Sequence, residues 1–151
     1  MKKTILGILF LIFLFSSCRY EEGPYVATKV EKRIRGMWSI SSVYKNREIT
    51  EVEFPTVVEA KGSQFEFYKR NILTIKYYYN GILSESSGSY EFGKNKKTIK
   101  LVFTNQYYTI SREYEIIKFT NKELKVRFTD DKSIEWTLIF NLELSFVPYD
   151  W

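Results

Sequence analysis

From Trp38 onward, apolar and polar residues alternate along the chain. In ELKVRFT (123–129), Leu124, Val126 and Phe128 fall on one side, and Lys125, Arg127 and Thr129 fall on the other. TIKLVF (98–103) sets Ile99, Leu101 and Phe103 against Lys100 in the same way. The longest run, SIEWTLIFNLEL (133–144), gathers Ile134, Trp136, Leu138, Phe140, Leu142 and Leu144 on one face. A period of two marks strands with one buried and one wet face. Further runs rich in aromatic and β-branched residues are WSISSVYK (38–45), QFEFYK (64–69), ILTIKYYY (72–79), GSYEF (88–92) and REYEIIKFT (112–120). Turn residues separate them: Asn46-Arg47, Arg70-Asn71, Asn80-Gly81, Asn121-Lys122 and Asp130-Asp131-Lys132. Asn80-Gly81 predicts a type I′ hairpin, because both residues tolerate positive φ.

The expected fold class is therefore all-β, an eight-stranded antiparallel meander with one longer connection at 51–63. Eight sequential strands sharing one apolar face remove their edges by closing into a barrel. A two-sheet β-sandwich is the alternative, because alternation alone does not establish closure. The adjacent Ile116 and Ile117 break the alternation of 112–120, and a bulge is one way to absorb them. Ahead of the first strand, VATKVEKRIRG (26–36) suggests a short N-terminal helix of two or three turns ending at Gly36. Val26, Val30 and Ile34 would share its apolar face, making it a plug or lid over one barrel end. No internal repeat or second domain is visible.

The N-terminus has a different character. Lys2 and Lys3 precede an apolar run from Ile5 to Phe15, and Ser16-Ser17 precede Cys18, the single cysteine of the 151 residues. This is the layout of a secretory signal, and the run is short of the roughly 20 apolar residues that span a bilayer. Ser16-Ser17-Cys18 resembles the lipobox of bacterial lipoproteins, which implies cleavage before Cys18 and acylation of its thiol and its new amino group. The expected organisation is residues 1–17 as lipoprotein signal peptide, 18–33 as acylated Cys18 with tether and short helix, and 34–151 as barrel domain. RYEEGPYVATK beyond the cysteine is polar and aperiodic, as a tether would be. Glu21 and Glu22 resemble the surface-export signals of lipoproteins in Bacteroidota-type envelopes. Arg19 is not the aspartate that retains lipoproteins in the inner membrane of proteobacteria. The expected location is the outer membrane, with the domain lipid-anchored at the periplasmic face or the cell surface. Lys2 and Lys3 account for two units of the formal net charge of +5, leaving +3, and nucleic acid is not an expected partner.

Gly36-Met37-Trp38 matches the Gly-x-Trp that opens the first strand of lipocalins. GMWSISSVYKNREIT, QFEFYKRNILT, GSYEFGKNKKTIKL and YEIIKFTNKELKV, in that order, resemble the lipocalin-like domains of small bacterial lipoproteins over roughly residues 34–140. The resemblance implies an eight-stranded barrel, often without assigned activity. The chain lacks a Thr-Asp-Tyr motif before a late strand and an arginine in the last strand to stack on Trp38. The likeness is thus to the looser lipocalin-like group rather than to the well-characterised ligand carriers.

The residues for catalysis are sparse. The sequence has no histidine, and acylation would leave no free thiol, so Ser-His-Asp and Cys-His nucleophiles and the usual zinc sites are excluded. Asp130, Asp131 and Glu135 lie close in sequence, but calcium takes about six to eight oxygens, and a solvated turn explains the acids better. Glu51 and Glu53 are two apart, with no facing partner to make a glycosidase pair. Ser86-Ser87-Gly88 has no base nearby in sequence. No catalytic residue, metal or cofactor is expected, and the protein is not expected to be an enzyme.

Aromatic residues dominate instead, with 12 tyrosines and 12 phenylalanines. Trp38, Phe65, Phe67, Phe103, Phe128, Trp136 and Phe140 are the candidates for the barrel interior and the lining of a ligand site, although such bulky rings also suit a filled lumen. Tyr77, Tyr78, Tyr79, Tyr107 and Tyr108 are candidates for an interface, because tyrosine offers rigid contact area with a polar tip. Strand propensity alone also explains them. Two functions follow as expectations. One is a membrane-anchored, non-catalytic barrel that binds a small apolar or amphipathic ligand. The other is an accessory subunit of an outer-membrane protein complex, docking through exposed tyrosines, with the tail SFVPYDW as a further contact or a cover for the barrel.

Overall fold

The computed structural model describes residues 29–105 and 109–146. A single helical turn, α1 (Val30–Arg33), leads into β1 (Gly36–Lys45) and the short β2 (Glu48–Thr50). Then follow β3 (Gln64–Phe67), β4 (Ile72–Tyr79), β5 (Ile82–Phe92), β6 (Thr98–Thr104), β7 (Thr109–Phe119), β8 (Glu123–Thr129) and β9 (Glu135–Ser145). Each strand from β3 to β9 pairs antiparallel with the next, and β1 pairs with both β3 and β9. That last pairing closes the sheet, so the fold is a barrel and not a sandwich. β2 and β3 share one edge of β1: β3 takes Gly36 to Ser39 and β2 takes Val43 to Lys45. The circumference therefore counts eight strands although the described residues form nine.

Every predicted run is a strand, and the turns behave as their residues dictate. Asn80 and Gly81 adopt φ of 51° and 77°, the positive pair of a I′ turn. Asn46 and Arg47 do the same and fold β2 back on β1, adding a strand that the sequence did not announce. β5 starts at Ile82, six residues before the predicted GSYEF, because the tight turn carries the register straight into ILSESS. A register shift between Ile116 and Lys118 is the bulge that Ile116-Ile117 called for. A second irregularity, between Met37 and Trp38 on β1, separates Leu144 from the face of Trp136, Leu138 and Phe140, and Leu144 is exposed. Among the described residues, the expected helix forms one turn, Val30–Arg33; Val26 lies outside them.

The apolar faces meet inside. Trp38, Ile40, Phe65, Phe67, Leu73, Ile75, Ile99, Phe103, Phe119, Leu124, Val126, Leu138 and Phe140 belong to one continuous core. Burying a single such side chain contributes roughly 1.5–3 kcal/mol, so this cluster supplies most of the drive to fold. The two barrel ends differ. At the tether end, α1 packs Val30 and Ile34 into the core, and Arg33 donates to the Phe119 carbonyl at 3.1 Å. Gly36 enters β1 there, where a Cβ would lie 2.5 Å from the Leu144 carbonyl oxygen, so only glycine fits. At the far end lie the 79–82 and 129–135 turns and the long connection 51–63.

Candidate functional site

The seven rings predicted to face inward are all buried, none more than 7% exposed. They pack on one another: Phe65 meets Phe140 edge-on at 5.1 Å, and Phe128 meets Tyr114 edge-on at 5.2 Å. Their side chains are inaccessible to water and belong to one packed core. Trp38 sits at the base, its Nε1 donating to the Ile34 carbonyl at 2.8 Å and its ring 5.8 Å from Phe119. At the same end, the Arg33 guanidinium lies 5.6 Å from the centre of the Phe119 ring, not over Trp38.

A loop enters the far half of the interior. Val57–Glu59 form a 3₁₀ turn that buries Val58 and Glu59 completely. The Glu59 carboxylate receives Arg112 at both oxygens, the Tyr114 hydroxyl at 2.6 Å and the Thr56 hydroxyl at 2.7 Å. The Arg112 guanidinium lies 4.2 Å from the centre of the Phe128 ring. Burial, reinforced by the neighbouring carboxylate, pushes the Tyr114 hydroxyl well above its ordinary pKa. Burial acts against the Arg112 charge, but Glu59 outweighs it and raises the guanidinium further. Sequence reading missed this cluster. Its signal is that Arg112 stands in phase with the buried Tyr114 and Ile116, and a lumenal charge needs a partner from outside its own strand.

The tyrosines separate by phase. Tyr77 is 5% exposed, and its hydroxyl accepts from Asn105 Nδ2 at 3.2 Å, so it is an interior residue and not an interface one. Alternation turns it toward the lumen with Leu73 and Ile75. Tyr78 and Tyr79 are 67% and 50% exposed, and across the turn Leu83 and Ile82 are 58% and 70% exposed. Tyr78 pairs with Leu83 and Tyr79 with Ile82, so both faces of the hairpin tip are apolar. Residues 77 to 84 carry no formal charge. Tyr107, Tyr108 and Cys18 lie outside the described residues.

The acidic candidates have structural partners. Glu51 pairs with Lys61, and Glu53 with Lys45. Asp130 accepts from the Lys132 and Ile134 amides and from Trp136 Nε1 at 2.8 Å, and that indole bond lowers its pKa most. Among the described residues, no group of three or more histidine, cysteine, aspartate or glutamate side chains is placed to hold a metal ion. A groove of about 390 Å³ runs along the outer wall, floored by Tyr44, Ile117, Thr137 and Ile139. Its charges are answered locally, Arg47 by Glu135 and Arg127 by Glu115.

On the outer face of β3, burial tends to raise the Glu66 pKa, but hydrogen bonds from Lys76 at 2.7 Å and Tyr68 at 2.6 Å hold it below its ordinary value. The same bond pushes Tyr68 up to about 12. A depressed carboxylate stabilises the fold above its unfolded pKa and loses that contribution as pH falls through the folded value. A raised tyrosine contributes fully below its unfolded pKa, and the contribution fades as pH rises toward the folded one. The stability advantage of the native chain over Glu66→Gln is therefore expected to shrink as pH drops from about 6 to about 3, as measured by urea unfolding. A pH-independent difference contradicts the ion-pair origin.

Closed, with eight strands around its circumference and a short helical turn at one end, the molecule has the lipocalin-like fold. No family model matches the chain, and no curated protein matches it in sequence. Among solved structures, insecticyanin from the tobacco hornworm Manduca sexta is similar with a TM-score of 0.53 and 12% identity, over 82% of this chain and 70% of its own. The odorant-binding protein from bovine nasal mucosa has a TM-score of 0.46 and 12% identity, over 84% of this chain and 80% of its own. Bovine odorant-binding protein in complex with its natural ligand gives 0.47 and 10%, over 85% and 80%. At such identities the likeness is one of fold.

Proposed function

We propose that the protein is an outer-membrane lipoprotein, tethered through acylated Cys18, whose barrel is a non-catalytic accessory module that docks onto a protein partner through the β4–β5 hairpin. The observation that carries this reading is the contrast between a packed interior and the uncovered Tyr78, Tyr79, Ile82 and Leu83. The attachment of the tether at the other end of the barrel supports a protein rather than the anchoring bilayer as occupant. Cys18 connects to the end that holds α1, over eleven Cα steps reaching at most about 40 Å. The hairpin tip is at the barrel end opposite α1. A charge-free ribbon with two apolar faces suits an apolar cleft that receives it as a wedge. A carrier of a small apolar or amphipathic molecule is the second reading, favoured by one observation: the far mouth is closed by a loop and not by strands.

Two variants test the first reading. Cys18→Ala is expected to move the protein from the membrane to the soluble envelope fraction, and continued membrane association would sink the tether. Tyr79→Thr with Ile82→Lys is expected to leave the melting temperature within about 2 °C, because both positions lie outside the core and no like charges face each other across the pair. The same pair is expected to reduce the assembly extracted from membranes to the lipoprotein alone on a native gel. An assembly of unchanged size rules out the hairpin as its contact.

A further inference from the structure

Among the described residues, the charge of Arg112 inside the barrel is answered by no strand residue. The carboxylate facing it comes from Glu59 in the connection between β2 and β3. We propose that Arg112 and Tyr114 form an anion site that Glu59 fills in this closed state, and that a carboxylate-headed amphiphile takes the site when residues 51–61 swing outward. The inference rests on the carrier reading and is independent of docking through the hairpin.

Three observations support it. First, the site is a set of donors held by the barrel wall, with a guanidinium backed by the Phe128 ring and a phenol already aimed at a carboxylate. A charged fork and a hydroxyl converging on one carboxylate match any monocarboxylate, not only that of a glutamate side chain. Second, the loop is detachable. Among the described residues, the backbone–backbone hydrogen bonds of 51–61 stay within the connection, Glu59 to Thr56 and Ser63 to Ala60, and the Glu53 amide bonds only the Thr50 side chain at the end of β2. The barrel ladder begins again only where Gly62 and Ser63 bond to Ile40. Swinging the loop out thus breaks side-chain contacts and leaves every strand pairing intact. Third, the lumenal side of β5 buries the Ser86 hydroxyl with no hydrogen-bond partner, a cost that a polar atom of a guest would remove. Val58, seated in the same core as Ile75, Phe103 and Phe128, occupies the apolar space that a tail would use.

A carboxylate attached to its own site competes at high effective concentration, so the unaltered chain should bind such a guest weakly. The test titrates the chain from residue 19 onward, which keeps every described residue, with the fluorescent fatty acid cis-parinaric acid and with the corresponding alcohol. Glu59→Gln is expected to bind the acid at least about tenfold more tightly than the unaltered chain does, because the closed state no longer competes. The alcohol should show no such gain, and adding Arg112→Met should abolish it. Because Glu59→Gln also weakens the fold, a second arm uses the unaltered chain at saturating acid. There, hydrogen exchange at residues 57–61 should accelerate while β4 to β8 stay protected. Equal affinity of the two chains for the acid, equal gains for acid and alcohol, unchanged exchange at 57–61, or no binding by either chain each overturns the proposal.

Discussion

Glu59→Leu is expected to lower the unfolding free energy by about 3–5 kcal/mol, because it strands the Arg112 charge in a largely dry site. The geometry sets the size of this effect. Glu59 is wholly buried and collects donors from Arg112, Tyr114 and Thr56, so its loss leaves a guanidinium and two hydroxyls without an acceptor. Arg112 retains some contact with water, which places the expected value toward the lower end of the range. The double variant Glu59→Leu with Arg112→Met is expected to recover most of the loss, since apolar replacement of a buried ion pair is often neutral. Urea unfolding of the four-member cycle measures the coupling. Additive losses would mean that the pair does not hold the loop in place.

Trp38→Ala is expected to cost about 3–5 kcal/mol, the range for removing a large core aromatic. Trp38 has no exposed surface and joins three parts of the tether end: β1, the Ile34 carbonyl after α1, and Phe119 at the end of β7. Trp38→Phe separates the contributions, because it keeps most of the ring and loses the indole hydrogen bond. It is expected to cost about 1–3 kcal/mol, the penalty for a buried carbonyl left without its donor. In both variants, hydrogen exchange should rise first in α1 and the start of β1. A uniform rise over the whole barrel would show that the helical turn is not held by this residue.

How much of this was readable from the chain depends on how each element is specified. β6 and β8 were legible because their alternation is clean, and the 79–82 hairpin because Asn80-Gly81 has few other conformations. β2 was not, since three residues carry too little pattern, and Arg47 adopts positive φ without being a residue that advertises it. The first half of β5 was hidden by ILSESS, whose serines suit loops as well as strands; its pairing with β4 decides the matter. The inward rings were legible as a set, but whether they surround a space or fill it depends on packing across the barrel, which no local pattern contains. Tyr77 was grouped with its neighbours by composition and separated from them by phase alone. The Glu59 cluster joins residues more than 50 positions apart, through a connection with no periodicity, and only the closed fold brings them together.

The central claim is that the apolar β4–β5 hairpin is the surface through which the protein docks. It is tested most directly by placing a photo-crosslinking residue at positions 79, 82 and 100 in turn in the lipid-anchored protein in intact cells. Lys100, exposed on the wall of β6, serves as the control. The account predicts one discrete higher-mass protein product, the same from 79 and 82 and absent from 100. No protein product from the hairpin positions, crosslinks to lipid alone, or an identical product from position 100 would contradict it.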